Sequence, residues 1–230
     1  MLLLSITSAT NLANAAALSV FVFGSTIKPA HQKIIPTAGK ALVEFLNESG
    51  FRASFSQDAK LFNDNFLKEQ STVIFLDTSE QVLNRSQQIA VEHYFASGSK
   101  ILAIHSSIAM GNDWPWFKSL IGTSFKRHPP IHAEKVTLAS GPLINLDSPV
   151  SWTQEDEWYE FSNDIGPEYK MLASVNTHPV SWCRTFQNSG RFWYTSMGHS
   201  ESLYTGAGKN FMKHLLSGVK WVTRQDSEVE

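Results

Sequence analysis

Four imidazoles and three carboxylates stand where this chain could carry proton or metal chemistry: His31, His105, His128 and His199, with Asp156, Glu157 and Glu201. His199 and Glu201 form a His-x-Glu pair within Met197-Gly-His-Ser-Glu201. In extended backbone, side chains two apart project to the same side. Glu201 is therefore expected to fix the tautomer of His199 and raise its basicity. That makes His199 a general acid or base, or a metal ligand oriented by its neighbour. His105 directly follows the apolar run Lys100-Ile-Leu-Ala-Ile104. Asp156 and Glu157 are adjacent acids that could supply an acid and a base. Pro129-Pro130 hold His128 in a stiff, extended loop. Three imidazoles and a carboxylate suit a divalent metal such as Zn²⁺ with one open position, and His105 and His199 are the first candidates for its ligands. The single cysteine, Cys183, excludes a Cys-based zinc cluster and an internal disulfide.

Indoles lie beside these polar groups. Trp114 and Trp116 occur in Asp113-Trp-Pro-Trp116, Trp158 follows Glu157, and Trp182 lies four residues after His178. None of the 7 Trp lies before Trp114. Aromatic faces pack on the C–H faces of sugars, so Trp114, Trp116, Trp158 and Trp182, with His31, His128 and His178, are candidate substrate-binding residues; the competing reading is that large aromatics simply fill core. A formal net charge of −2 without a basic block excludes a nucleic-acid binder. A hydrophobic content of 42% excludes disorder. No run approaches the length of a membrane span.

The elements that must position these groups follow from periodicity. Leu18–Phe23, Phe51–Ser56, Thr72–Leu76 and Lys100–Ile104 read as strands, and Ile34–Ser49, Asn65–Gln70 and Ser86–Ser97 as helices. Gly50 and Gly98 are placed as helix stops. This β-α-β alternation predicts a flavodoxin-like three-layer α/β sandwich with a mostly parallel sheet. Later strands are expected at Val136–Leu138, Met171–Val175, Val180–Phe186 and Arg191–Ser196, with a closing amphipathic helix over Ala207–Thr223. The Asp113–Pro130 stretch is expected to roof the strand ends. Ligands of open α/β sheets bind beyond the carboxyl ends of the strands. Those ends read Gly24-Ser25, Asp77-Thr78, His105-Ser106 and His199-Ser-Glu201.

A strand, a sharp turn and a later strand ending in His-x-Glu resemble the class I glutamine amidotransferase fold. That resemblance places a nucleophilic Cys in the turn, where this chain has His105, so amidotransferase chemistry is not expected; Cys183 lies in another strand. The turn also lacks the Gly-x-Ser-x-Gly form that would expose Ser106 as a nucleophile. The trehalose-utilisation (ThuA-like) family is a closer match. Its motifs here are Ile104-His-Ser106, Asp113-Trp-Pro-Trp116, Phe125-Lys-Arg-His-Pro129, Asp156-Glu-Trp-Tyr159, His178-Pro-Val-Ser-Trp-Cys183, Met197-Gly-His-Ser-Glu201 and the Phe211–Trp221 helix, with His31 as an early His. The chain departs from the expected pattern at Arg184 in place of His and in a shorter Gly166–Thr177 segment, changes expected to reshape the pocket. The resemblance implies a role in carbohydrate metabolism on a sugar or keto-sugar, such as a trehalose-related disaccharide.

Two function classes follow: an enzyme moving a proton through His199, or a non-catalytic carbohydrate-binding module. Residues 1–17 carry Leu2-Leu3-Leu4 and the small-x-small triplet Ala13-Asn-Ala15, the form of a signal-peptidase site. An export signal would make the protein periplasmic or secreted; a leader without that role would leave it cytoplasmic. Residues 18–224 are expected to form one domain and 225–230 a solvated tail. A homo-oligomer is compatible with this reading.

Overall fold

The computed structural model describes residues 17–139 and 149–224. The expected leader cleavage near Ala15 and the 225–230 tail lie outside the described residues. The first half alternates as expected. Strand β1 (Ser19–Phe23) leads through the short helix α1 (Pro29–Gln32) to α2 (Ile35–Glu48). Then come β2 (Arg52–Ser56), α3 (Asp64–Leu67), β3 (Thr72–Leu76), α4 (Arg85–Ala96) and β4 (Lys100–Ile104). Gly50 and Gly98 end their helices with φ of 89° and 88°, left-handed values that glycine adopts without strain.

The second half adds α5 (Pro115–Ile121), β5 (Phe125–Arg127), β6 (His132–Leu138), β7 (Ser151–Asp156), β8 (Glu160–Phe161), β9 (Lys170–Val175), β10 (His178–Thr185), β11 (Arg191–Thr195), α6 (Ser202–Thr205) and α7 (Lys209–Thr223). The nine-stranded sheet runs β2-β1-β3-β4-β11-β10-β9-β6-β7. From β2 to β11 neighbouring strands are parallel, and from β11 to β7 antiparallel. A parallel pair needs a long crossover, whereas an antiparallel pair needs only a turn. This matches helical connections in the first half and short ones such as Asn176-Thr177 in the second.

Alternation along the parallel strands builds the three layers. Val20, Val22, Ile74, Leu76, Leu102 and Ile104 face one side and pack on Leu42 and Leu46 of α2 and Phe211, Leu215 and Val219 of α7. Phe21, Phe23, Val73, Phe75, Ile101 and Ala103 face the other and meet Leu67, Val91, Phe95 and Phe117. The Trp-bearing part of the Asp113–Pro130 stretch does not roof the strand ends. Pro115 opens α5, whose turns carry Phe117, Leu120 and Ile121 onto this second core, and Trp114 and Trp116 stack beside it.

Candidate functional site

The carboxyl ends of β1, β3, β4 and β11 share one rim because these strands are parallel. His105 is the first residue after β4 and has φ of 53°, so the chain turns sharply and aims the imidazole across the rim. Tyr194 Oη donates to the His105 carbonyl at 3.0 Å and holds that turn. His105 Nδ1 donates to the Ser196 carbonyl at 2.6 Å. This directs Nε2 outward, 2.9 Å from Tyr159 Oη, 3.3 Å from Glu157 Oε2 and 3.3 Å from His199 Nδ1. His199 Nδ1 is itself 3.3 Å from Glu157 Oε2. The His31 ring, carried by α1, lies 5.2 Å from the His105 ring and 5.4 Å from the His199 ring, centroid to centroid. One donor atom from each of His31, His105, Glu157 and His199 falls within 4.8 Å of the others. His128 flanks the group, with Nε2 3.6 Å from Glu157 Oε1.

The group's electrostatics follow from burial and mutual charge. Burial would lower the His105 pKa, but the Glu157 hydrogen bond and the Asp77 and Asp156 charges outweigh it and push it up to about 9. Burial would raise Glu157, yet bonds from His105 and His199 hold it well below the usual carboxylate range. Burial and the neighbouring imidazoles of His105 and His199 lower His31 to about 4. Burial raises Asp77 to about 6, against the pull of His105 and Ser106. At neutral pH the centre therefore holds an imidazolium–carboxylate pair beside the neutral imidazole of His31.

The residues also fit a bound cation. His31 Nδ1, which lies 3.5 Å from Asp77 Oδ1, and Asp77 Oδ2 are buried without a hydrogen-bond partner among the described residues, an arrangement that burial normally penalises. Imidazole nitrogens with one carboxylate are the donor set that suits Zn²⁺. His105, oriented by a backbone carbonyl on its far nitrogen, has the second contact typical of a metal-binding histidine.

The carboxylate facing His199 is Glu157 and not Glu201. Gly198 has φ of 126°, and a Cβ there would sit 2.7 Å from Tyr204 Oη. Glu201 then enters helical backbone at the head of α6 (φ −53°, ψ −37°). The extended geometry that would align Glu201 with His199 is absent, and Glu201 is exposed. Asp156 is 1% exposed, and its two oxygens are turned to backbone N–H groups and Gln154, accepting from Glu157 N at 2.9 Å, His199 N at 3.1 Å, Gly198 N at 2.8 Å and Gln154 Nε2 at 2.7 Å. It is a positioning residue that ties the end of β7 to the turn after β11. Ser106 Oγ donates to Asp77 at 3.1 Å within the buried rim.

None of the four indoles picked out in the sequence reaches the cluster. Trp114 donates to Glu92 and packs with Phe117, and Trp116 lies against Phe95. Trp158 donates to the His132 carbonyl and Trp182 to that of Ile121, both from the core. Large apolar area drives these rings into packing. His178 donates to the Tyr159 carbonyl and stacks on Phe161, so it supports Tyr159 from behind. Arg184 lies over Tyr169 and Phe186 and pairs with Glu168, away from the cluster. Cys183 is buried on β10, and burial pushes its thiol up to about 12.

Sequence reasoning singled out Tyr159 only as an aromatic beside the polar motifs and passed over Trp152. A cleft of about 480 Å³ adjoins the cluster through His199 and is lined by Ile34, Trp152, Gln154, Glu201 and Asn210, among others. Trp152, Gln154 and Asp156 lie two apart on β7 and share its face; that alternation is the signal that could have marked Trp152.

The family model described as ThuA, trehalose utilisation, matches residues 19–222. A ThuA-like protein from Bacteroides uniformis superposes with a TM-score of 0.76 at 20% identity, over 94% of this chain and 96% of that one. A ThuA-like protein from Parabacteroides merdae gives 0.71 at 14% identity, over 93% and 92%. A glutamine amidotransferase from Thermotoga maritima gives 0.56 at 11% identity, over 90% and 99%, a likeness of fold alone. No curated protein sequence matches the chain significantly.

Proposed function

The chain belongs to the trehalose-utilisation (ThuA) family, and from that premise we propose that it acts on a sugar or keto-sugar by imidazole–carboxylate proton transfer, with a divalent cation such as Zn²⁺ as cofactor. The observation that carries this reading is the convergence of His31, His105, His199 and Glu157 on one point of the strand-end rim. His31, His105 and Glu157 would hold the cation, three protein ligands with an open position being the pattern of catalytic sites. The bound cation supplies Lewis acidity toward a substrate oxygen.

His199 is left to move the proton. It is the imidazole shared by the cluster and the cleft. Its Nδ1 lies against Glu157 Oε2, which leaves Nε2 to exchange a proton with substrate. Tyr159 Oη, with its pKa pushed well above the usual phenol value by burial and by nearby negative charge, stays protonated and stands 2.9 Å from His105 Nε2, beside the position the cation would take.

Zinc titration of the metal-stripped protein and turnover of trehalose and its 3-keto form test both parts. His31→Ala is expected to lose zinc affinity at least about tenfold, removal of a ligand being at least as damaging as loss of the groups behind it. His199→Ala should keep zinc but turn substrate over at least about 100-fold more slowly, the ordinary contribution of a general acid or base. Turnover unchanged in His199→Ala, or undiminished after chelation, overturns the corresponding assignment.

A further inference from the structure

The cleft beside His199 has the volume of a small-molecule site, within the roughly 300–1,000 Å³ usual for such pockets. Its composition is selective. Among the described residues none of those lining it is Lys or Arg, whereas Glu155, Asp156 and Glu201 all contribute to its wall. Phosphate and carboxylate ligands are ordinarily met by Arg, Lys or a helix N-terminus. The start of α7, at Gly208 and Asn210, does line the cleft, but the carboxylates of Glu155 and Glu201 with no Lys or Arg beside them set a field that disfavours anions.

One side of the cleft is apolar and held rigidly. Trp152 is half-buried, and its Nε1 donates to Gln154 Oε1 at 3.0 Å. Gln154 Nε2 donates in turn to Asp156 Oδ2 at 2.7 Å, and Asp156 accepts from the backbone of Gly198 and His199. The indole is thus fixed relative to the backbone of His199 through two side chains. Its π face carries the partial negative charge that attracts the polarised C–H bonds of a pyranose ring. Elsewhere on the cleft wall, Glu201 and Asn210 have no side-chain hydrogen bonds among the described residues, so an acceptor and an amide are available for hydroxyl groups.

We propose that this cleft binds a neutral, unphosphorylated sugar, with the ring against Trp152 and its hydroxyls on Glu201 and Asn210, so that the reacting carbon faces His199. The proposal rests on the sugar reading above and adds where the sugar sits and which sugars are refused. It gives Glu201 a substrate-binding role in place of the His199-supporting one.

Calorimetric binding of trehalose, its 3-keto form and trehalose 6-phosphate to the intact protein tests it. The phosphorylated sugar is expected to bind at least about tenfold more weakly than trehalose, a difference of about 1.4 kcal/mol. Trp152→Phe and Asn210→Ala, checked for unchanged melting, should each weaken trehalose or keto-trehalose binding threefold or more, on the order of 0.7 kcal/mol. Trp116→Ala, on the far side of the sheet, should leave binding unchanged. Sugar binding that survives both cleft substitutions, or a phosphorylated sugar that binds as tightly, overturns this inference while leaving the sugar reading intact. Failure of all three sugars to bind overturns both.

Discussion

Replacing Asp156 with Asn tests the claim that this carboxylate holds the site together rather than moving protons. Each oxygen of Asp156 accepts two N–H groups: Oδ1 those of Glu157 and His199, Oδ2 those of Gly198 and Gln154. An amide offers one acceptor oxygen. Whichever way the substituted side chain turns, its NH₂ faces two donors and cannot satisfy them. Turning the Gln154 amide does not help, because its oxygen already accepts from Trp152. Two hydrogen bonds to a charged acceptor are lost, each worth about 1.5–3 kcal/mol, so Asp156→Asn should destabilise the fold by about 3–6 kcal/mol. For a chain of this size about 2–4 °C of melting temperature follows each kcal/mol, giving a fall of roughly 6–24 °C by calorimetry or circular dichroism. Either orientation frees a backbone N–H of the turn that carries His199, its own or that of Gly198, and should also reduce turnover about 10–100-fold, as loss of supporting contacts at metal sites does. Glu201→Gln, exposed and without side-chain partners among the described residues, should keep stability within about 0.5 kcal/mol. An Asp156→Asn protein that melts with the parent and turns over normally would refute the reasoning.

Two further outcomes concern groups outside the site. His214 is buried, its Nε2 donates to Ser181 Oγ at 3.0 Å, and burial lowers its pKa to about 3. A histidine depressed in the folded state favours folding above its unfolded value of about 6.5, and that contribution fades as pH falls toward the folded value, by up to about 1.4 kcal/mol per pH unit. Between pH 6 and 4 the parent's melting temperature should therefore drop about 3–6 °C per unit faster than that of His214→Gln; parallel curves would contradict this. Cys183, 1% exposed and with its thiol pushed up to about 12, should react with a thiol reagent only after denaturant is added, and rapid labelling of native protein would count against its burial.

The parallel half of the sheet was legible because β1, β3 and β4 are buried runs rich in Val, Ile, Leu and Phe, and its helices stop at glycines that really are left-handed. The strand-end rule put His105, Asp77 and His199 on one rim, as they are. Glu157 was harder to assign than Glu201, because the latter stands beside His199 in sequence. The link to Glu157 is spatial, made when the antiparallel strands carry the end of β7 back over the rim. Trp152 was hidden for the opposite reason to the other indoles. Trp114 and Trp158 sit beside motif residues yet are consumed by packing, while Trp152 sits beside nothing suggestive and meets the cleft only because β7 runs extended at the edge of the sheet.

The order of strands also determines when the centre can exist. β11 is the last strand in the chain but lies in the middle of the sheet, between β4 and β10, and it brings His199 to a partner 94 residues earlier. Closing so long a loop is slow, although length itself adds little to its free-energy cost. A chain still being synthesised, or clipped before residue 191, holds His31 and His105 but lacks both the strand that seats next to β4 and the imidazole it delivers. Only a chain completed past His199 can bring all four residues of the cluster together. The segment from residue 191 onward also supplies α7 to the core, so the cluster and one of the two helical layers depend on the same late part of the chain.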